Sequence, residues 1–248
     1  MPSLILGLGS LFVLLAAIVR GYAGFGFSLL VITALSLLTS PATIIPSIFM
    51  LEIAASIHLL PAIWKDIHWR SLAPLIFGCA VGTPLGVWLL ANVPVPPMQV
   101  ALAFFVLAAV GFLWCGFALK TMPGTVASGV VGTASGLANG AFGIGGPPAI
   151  LFYFASPAGN VAGRASLIAY FLMTDVIGLT FLTREGLITW PSFYMALFFL
   201  PGLVVGNWIG ARGFTRADPA TFRKGVLVLL AILAILSAAK GIAAYWHN

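Results

Sequence analysis

The sequence predicts an all-α polytopic membrane protein built from two inverted repeats, each a glycine-interrupted helical hairpin followed by three transmembrane helices. Three observations carry that expectation. Of 248 residues, 61% are hydrophobic and only 6% are charged, whereas a soluble domain carries about 25% charged residues. The longer apolar runs approach the ~20 residues with which a helix crosses a bilayer. Finally, three short motifs recur in the same order at a nearly constant spacing.

The composition also excludes functions. A chain this apolar has no room for a water-facing domain, so a Rossmann module, a P-loop module and nucleic-acid binding are all ruled out. Cys79 and Cys115 each stand alone inside apolar runs and form no disulfide framework. Met1-Pro2-Ser3 brings no basic side chain ahead of the first run, so that run reads as a segment of the protein rather than a signal peptide.

Taken in order, the apolar runs cover 4–19, 27–39, 42–63, 71–91, 98–118, 125–138, 149–156, 165–183, 191–211 and 225–246. Their lengths favour helices over barrel strands, which would alternate polar and apolar residues. Two places differ from the rest. Glycine and proline interrupt the chain at Arg20-Gly-Tyr-Ala-Gly-Phe-Gly-Phe27 and at Asn139-Gly-Ala-Phe-Gly-Ile-Gly-Gly-Pro-Pro148.

The interruptions belong to an internal duplication. Gly24-x-Gly26 matches Gly143-x-Gly145 at an offset of 119, and Trp69-x-Ser71 matches Trp190-x-Ser192 at 121. Gly82-x3-Gly86-x-Trp88 matches Gly202-x3-Gly206-x-Trp208 at 120. This gives one transmembrane domain over 1–248, with repeat 1 at about 4–119 and repeat 2 at about 125–246.

Basic residues set the orientation. If 4–39 and 125–156 are hairpins that return to their starting side, Lys65, Arg70, Lys120, Arg164, Arg212, Arg216, Arg223 and Lys224 share one face. Only Arg184 and Lys240 fall opposite, with Arg20 inside the first hairpin. Such a bias marks cytoplasmic loops. It predicts inverted repeats in a bacterial inner membrane, both termini outside, and the 64–70, 120–124, 157–164 and 212–224 loops in the cytoplasm. The net charge of +6 is then mostly a topology signal.

Irregular backbone at membrane depth survives only where it is buried in protein or lines a wet cavity. Broken helices in inverted-repeat transporters turn N-terminal N–H groups and a positive dipole end toward anions. Gly24, Gly26, Gly143, Gly145 and Gly146 let backbone amides approach a ligand, and Pro147 and Pro148 suit the first turn of a following half-helix. Ser28 offers a hydroxyl and Asn139 an amide near the two breaks. The competing reading gives these glycines to helix packing alone. Gly78-x3-Gly82-x3-Gly86 and Gly202-x3-Gly206-x3-Gly210 do have the four-residue spacing of packing faces.

With Gly-Phe-Gly-Phe in one half, Gly143-Ile-Gly-Gly-Pro-Pro148 in the other, and a duplicated short chain, the sequence resembles the TauE/SafE family over essentially its whole length. That resemblance implies an inner-membrane permease for small sulfur-containing or organic anions, such as sulfite, thiosulfate, sulfoacetate or related carboxylates.

Ionisable residues inside a membrane are expensive and point to function. Arg20 sits at the first break, where it either pairs with an anionic substrate through its fork of donors or reaches back to the interface. Glu52 lies within 42–63 and Asp175 within 165–183, at an offset of 123. Each is a candidate for proton or ion coupling, or else a hydrogen-bonded packing residue. His58, about a turn and a half after Glu52, would extend a relay or lie at the membrane edge.

An enzyme is not expected. His58, His68 and His247 are scattered and supply no zinc-ligand set, and Asp175 is the one aspartate inside a span. No metal or cofactor is called for. The predicted partners are a small anionic substrate and the lipid bilayer, with a homo-oligomer left open. A carrier of another small solute coupled to cations or protons, and a non-transporting membrane scaffold, are the alternatives.

Overall fold

The protein was analysed as a computed structural model, which describes residues 3–115, 121–155, 159–213, 228, 231–240 and 242–243. Lys120, Arg216, Arg223, Lys224, His247 and the side chain of His58 lie outside the described residues. Every regular element among them is helical. The order is α1 (Ser3–Ala23), α2 (Phe27–Leu35), α3 (Pro41–Ile63), α4 (Trp69–Asn92), α5 (Val95–Cys115), α6 (Thr125–Phe142), α7 (Gly146–Ala155), α8 (Gly159–Arg184) and α9 (Trp190–Gly213). A last apolar helix, α10, spans Ala231–Lys240.

Among the described residues, four helices are long and apolar enough to cross a membrane, at Trp69–Asn92, Val95–Phe112, Val161–Arg184 and Trp190–Arg212. Their outward faces are apolar: Phe77, Phe104, Val161, Trp190 and Tyr194 are all more than 60% exposed. In lipid those side chains are solvated rather than stranded. α3 bends by 50° between Pro41–Ile57 and Leu59–Asp66. Pro61 lies within the second piece, and its ring leaves the carbonyl four residues earlier, at Ile57, without a helical donor.

Both interruptions are breaks between helices, as their glycines predict. α1 ends at Ala23 and α2 starts at Phe27, while α6 ends at Phe142 and α7 starts at Gly146. Gly24, Gly26 and Gly143 have φ of +82°, +95° and +67°, a region that carries a steric cost for residues with a Cβ. α2 and α7 have 9 and 10 residues. At 1.5 Å per residue each is roughly 14 Å long, about half the hydrocarbon thickness. Each packs back on the helix before it, α2 on α1 and α7 on α6.

Far from its break, α2 is anchored at its C-terminal end. Gln99 of α5 donates to the Ser36 carbonyl at 2.7 Å, and Lys240 of α10 donates to the Leu37 carbonyl at 2.7 Å. A cation there also complements the negative end of the helix dipole.

The glycine triplets form two parallel seams. On α4, a Cβ at Gly78, Gly82 or Gly86 would strike the carbonyl oxygen of Gly129, Thr133 or Leu137 of α6. On α6, a Cβ at Gly132, Gly136 or Gly140 would strike the carbonyl of Leu75, Cys79 or Thr83. The two backbones therefore touch directly and interlock in the same chain direction. The second seam joins α9 to α1: Gly206 faces Ala17 and Leu14, and Gly210 faces Ile18 and Gly21. Where small residues let backbones approach this closely, dispersion contacts do the work that the hydrophobic effect cannot do in lipid.

Between the seams, α3 and α8 cross in opposite directions. Phe49 lies on Gly178, and beyond the end of α3 the His68 amide donates to Ser166 near the start of α8 at 2.9 Å. At the other end, Ser47 of α3 donates at 2.8 Å to the carbonyl of Ser192, in the first turn of α9, which follows α8.

Arg164 departs from the sequence expectation. The 157–164 loop placed it at a cytoplasmic turn, but α8 begins at Gly159. Arg164 is half-buried and its side chain lies against Gly24. The apolar run read from the sequence starts at 165, but the helix starts at Gly159 and its apolar span at Val161, so Arg164 lies within the span, against the first break.

Candidate functional site

The first break is organised by an ion pair. Arg20, in the last turn of α1, and Glu52, in the middle of α3, are 2% and 4% exposed. Arg20 Nη1 meets Glu52 Oε2 at 2.7 Å, and Arg20 Nη2 donates to Ser56 Oγ at 2.8 Å. The other carboxylate oxygen, Oε1, accepts from the Ser28 amide at 3.1 Å and the Ser28 hydroxyl at 2.5 Å. Glu52 thus bridges Arg20 and the first turn of α2. A carboxylate in that place is favoured both by the amide donors and by the positive end of the helix.

The second break is organised by a neutral side chain. Asn139 Oδ1 accepts from the Gly145 amide at 3.2 Å, and Asn139 Nδ2 donates to the Thr174 carbonyl at 3.2 Å. Ser135, one turn earlier on α6, donates to the Gly145 carbonyl. A Cβ at Gly145 would lie 2.8 Å from Asn139 Cβ and 3.0 Å from the Ser135 carbonyl oxygen. Gly143 is enclosed by Ile32 of α2 and Ile45 of α3. Gly146 lies near Ile150 and Phe171, and Pro147 is buried in the first turn of α7. Proline brings no N–H, so Pro147 and Pro148 leave this helix start with fewer donors than α2 has.

The two breaks meet across α3 and α8. Asp175 is 3% exposed, within electrostatic reach of Glu52 and Arg20 and one residue after Thr174, whose carbonyl accepts from Asn139. Its Oδ2 has no hydrogen-bond partner among the described residues. The structure therefore gathers Arg20, Ser28, Glu52, Asn139 and Asp175, together with the glycines of both breaks, into one buried region. In this state the named amides hold the protein's own groups. Gly24 donates to the Arg20 carbonyl at 2.6 Å and Gly143 to the Asn139 carbonyl at 2.8 Å.

Three contributors escaped the sequence reading. Ser56 stands four residues after Glu52 and Ser135 four before Asn139, so one-turn spacing was the signal available for both. Arg164 had no such signal.

At Gly26 the backbone demand can be separated from packing. The nearest atom to an added Cβ is Val19 Cγ1 at 3.5 Å, an ordinary contact. Gly26→Ala should therefore cost only the left-handed conformation, about 1–2 kcal/mol, read as a lowered midpoint of thermal unfolding in detergent. An unchanged midpoint would show that the break does not require that conformation.

The fold thus sets two breaks between helices beside buried charges. The chain belongs to the family described as Sulfite exporter TauE/SafE, whose pattern matches residues 10–237. It is 30% identical over 217 residues to a protein of Cupriavidus necator named as a probable sulfite/organosulfonate exporter TauE, covering 83% of this chain and 84% of that one. No solved structure is detectably similar. The protein is a multi-pass membrane anion permease of this family.

Proposed function

We propose that this permease moves small oxyanions, sulfite or organosulfonates among them, by alternating access around the region where the two breaks meet. The observation that carries the proposal is the seating of a carboxylate at the start of α2, between Ser28 and Arg20. A site that holds one oxyanion in a buried interior has the donors and the positive charge to hold another. The name of the Cupriavidus relative supports the sulfur-containing class. Arg20, Gly24, Gly26, Ser28, Asn139, Gly143, Gly145, Gly146 and Pro147 form the proposed binding region, with Glu52 and Asp175 as coupling groups.

Two inverted repeats, about 4–119 and 125–246, are part of this proposal. α3 and α8 are counterparts in the two halves, and they run antiparallel. Repeats related by an axis along the membrane normal would leave them parallel. The offset of 123 between Glu52 and Asp175 fits residues close to a two-fold axis. The proposed orientation has both termini outside the inner membrane. Labelling single cysteines placed at Asp66 and at Gly186 from opposite sides tests it, and same-side labelling would overturn it.

The transport test uses proteoliposomes loaded with sulfite, thiosulfate, sulfoacetate, sulfate or sodium salts of short carboxylates. Saturable flux of a sulfur oxyanion is expected, with Gly145→Val lowering it at least 100-fold in protein that still inserts. A valine there presses on Asn139 and the Ser135 carbonyl and re-aims the second break. Flux that survives unchanged in Gly145→Val would remove this break from the site. Flux of sodium alone would turn Glu52 and Asp175 into a cation site.

A further inference from the structure

Resting on the anion-permease reading, we infer that Glu52 is a tethered competitor. Its carboxylate fills the oxyanion seat at the start of α2 in the empty protein, and a monoanionic substrate binds by displacing it as Glu52 takes up one proton. The geometry is that of a ligand in place. One oxygen accepts from the Ser28 amide and hydroxyl while the other faces Arg20 at 2.7 Å. Any anion with at least two acceptor oxygens on one atom repeats the pattern, whether sulfonate, hydrogensulfite or carboxylate.

Charge then decides the substrate class. The seat balances one guanidinium against one negative charge, in an interior where an unpaired ion is costly. Among the described residues, the charged groups facing it are Arg20 from α1 and Asp175 from α8. Arg164 of α8 lies beside Gly24, and Cys79 of α4 interacts with Asp175. A dianion, or a monoanion sharing the region with an ionised, displaced Glu52, sets two negative charges against the single guanidinium of Arg20 next to Asp175, with Arg164 remaining beside Gly24. Protonation of the displaced Glu52 carboxyl restores the balance, and no covalent bond to the substrate forms. Binding therefore consumes a proton and strengthens as pH falls, by up to tenfold per pH unit.

The test is calorimetric titration of the full chain in detergent with methanesulfonate, which stays ionised throughout the range used, and with sulfate. Wild type should bind methanesulfonate at least tenfold more tightly at pH 6 than at pH 8, and sulfate at least tenfold more weakly than methanesulfonate. Glu52→Gln keeps an acceptor for Ser28 but no charge. It should bind methanesulfonate more tightly than wild type at pH 8 and lose the pH dependence. Glu52→Asp keeps a charge near Arg20 but is one methylene shorter. It should also bind more tightly at pH 8, with the pH dependence retained, and it serves if Glu52→Gln does not fold. Equal affinity in wild type and both variants would overturn the competitor while leaving the permease reading intact. A pH dependence that persists in Glu52→Gln and vanishes in Asp175→Asn would overturn it in favour of Asp175. Wild type that binds no anion at either pH would sink the anion reading itself.

Discussion

Glu52→Leu is expected to destabilise the protein by about 3–5 kcal/mol, the loss that follows when one partner of a buried ion pair is removed. The burden falls on Arg20. It is 2% exposed at the end of α1, and its remaining hydrogen-bond partner is the Ser56 hydroxyl, which is neutral. The start of α2 loses its acceptor as well, because both Ser28 donors point at Glu52. Arg20→Leu combined with Glu52→Leu removes both charges and should recover most of the loss, since apolar replacement of a whole buried pair is often neutral or better. Unfolding of the purified single and double variants checks this. A single variant within about 1 kcal/mol of wild type would mean that Arg20 finds another counter-charge, with Asp175 the nearest candidate.

Gly82→Leu should be at least as damaging, at or beyond about 3 kcal/mol, the upper end of ordinary overpacking. The obstacle is the Thr133 carbonyl oxygen, a main-chain atom that no rotamer change can move. α4 and α6 would have to separate, carrying Asn139 and the second break with them. Gly129→Leu, on α6 itself, is the matched control, because nothing lies within 4 Å of a Cβ there. The yield of monodisperse protein in detergent should collapse for the first variant and hold for the second. Equal yields would mean that the seam gives way without consequence.

These residues show how far the sequence could be read. The breaks were legible because left-handed backbone selects glycine, and the seams because close backbone approach selects glycine every fourth residue. Arg20, Glu52 and Asp175 stood out by cost alone, as charges where charge is expensive. Their partnership was not legible. Arg20 and Glu52 come from different helices, and only the packing of α1, α2 and α3 sets one carboxylate between a guanidinium and a helix start. The role of Asn139 was hidden for the same reason, since its amide is aimed by Thr174 of α8. Arg164 was misplaced because a polar stretch at the edge of an apolar run looks like a loop until something is seen to need covering.

The two glycine seams have a mechanical consequence. Each one fastens the first helix of one proposed half to the fourth helix of the other, α6 to α4 and α1 to α9. Under the proposed duplication, the bodies that these seams lock together are chimeric, each drawing helices from both proposed halves. A clamshell hinged between residues 1–119 and 125–248 would have to unzip both seams on every turnover. The antiparallel crossing of α3 on α8 and the break-side ends of α2 and α7 lie outside both seams, so displacing them would leave both seams closed, with α2 still tied at its far end through Gln99 and Lys240.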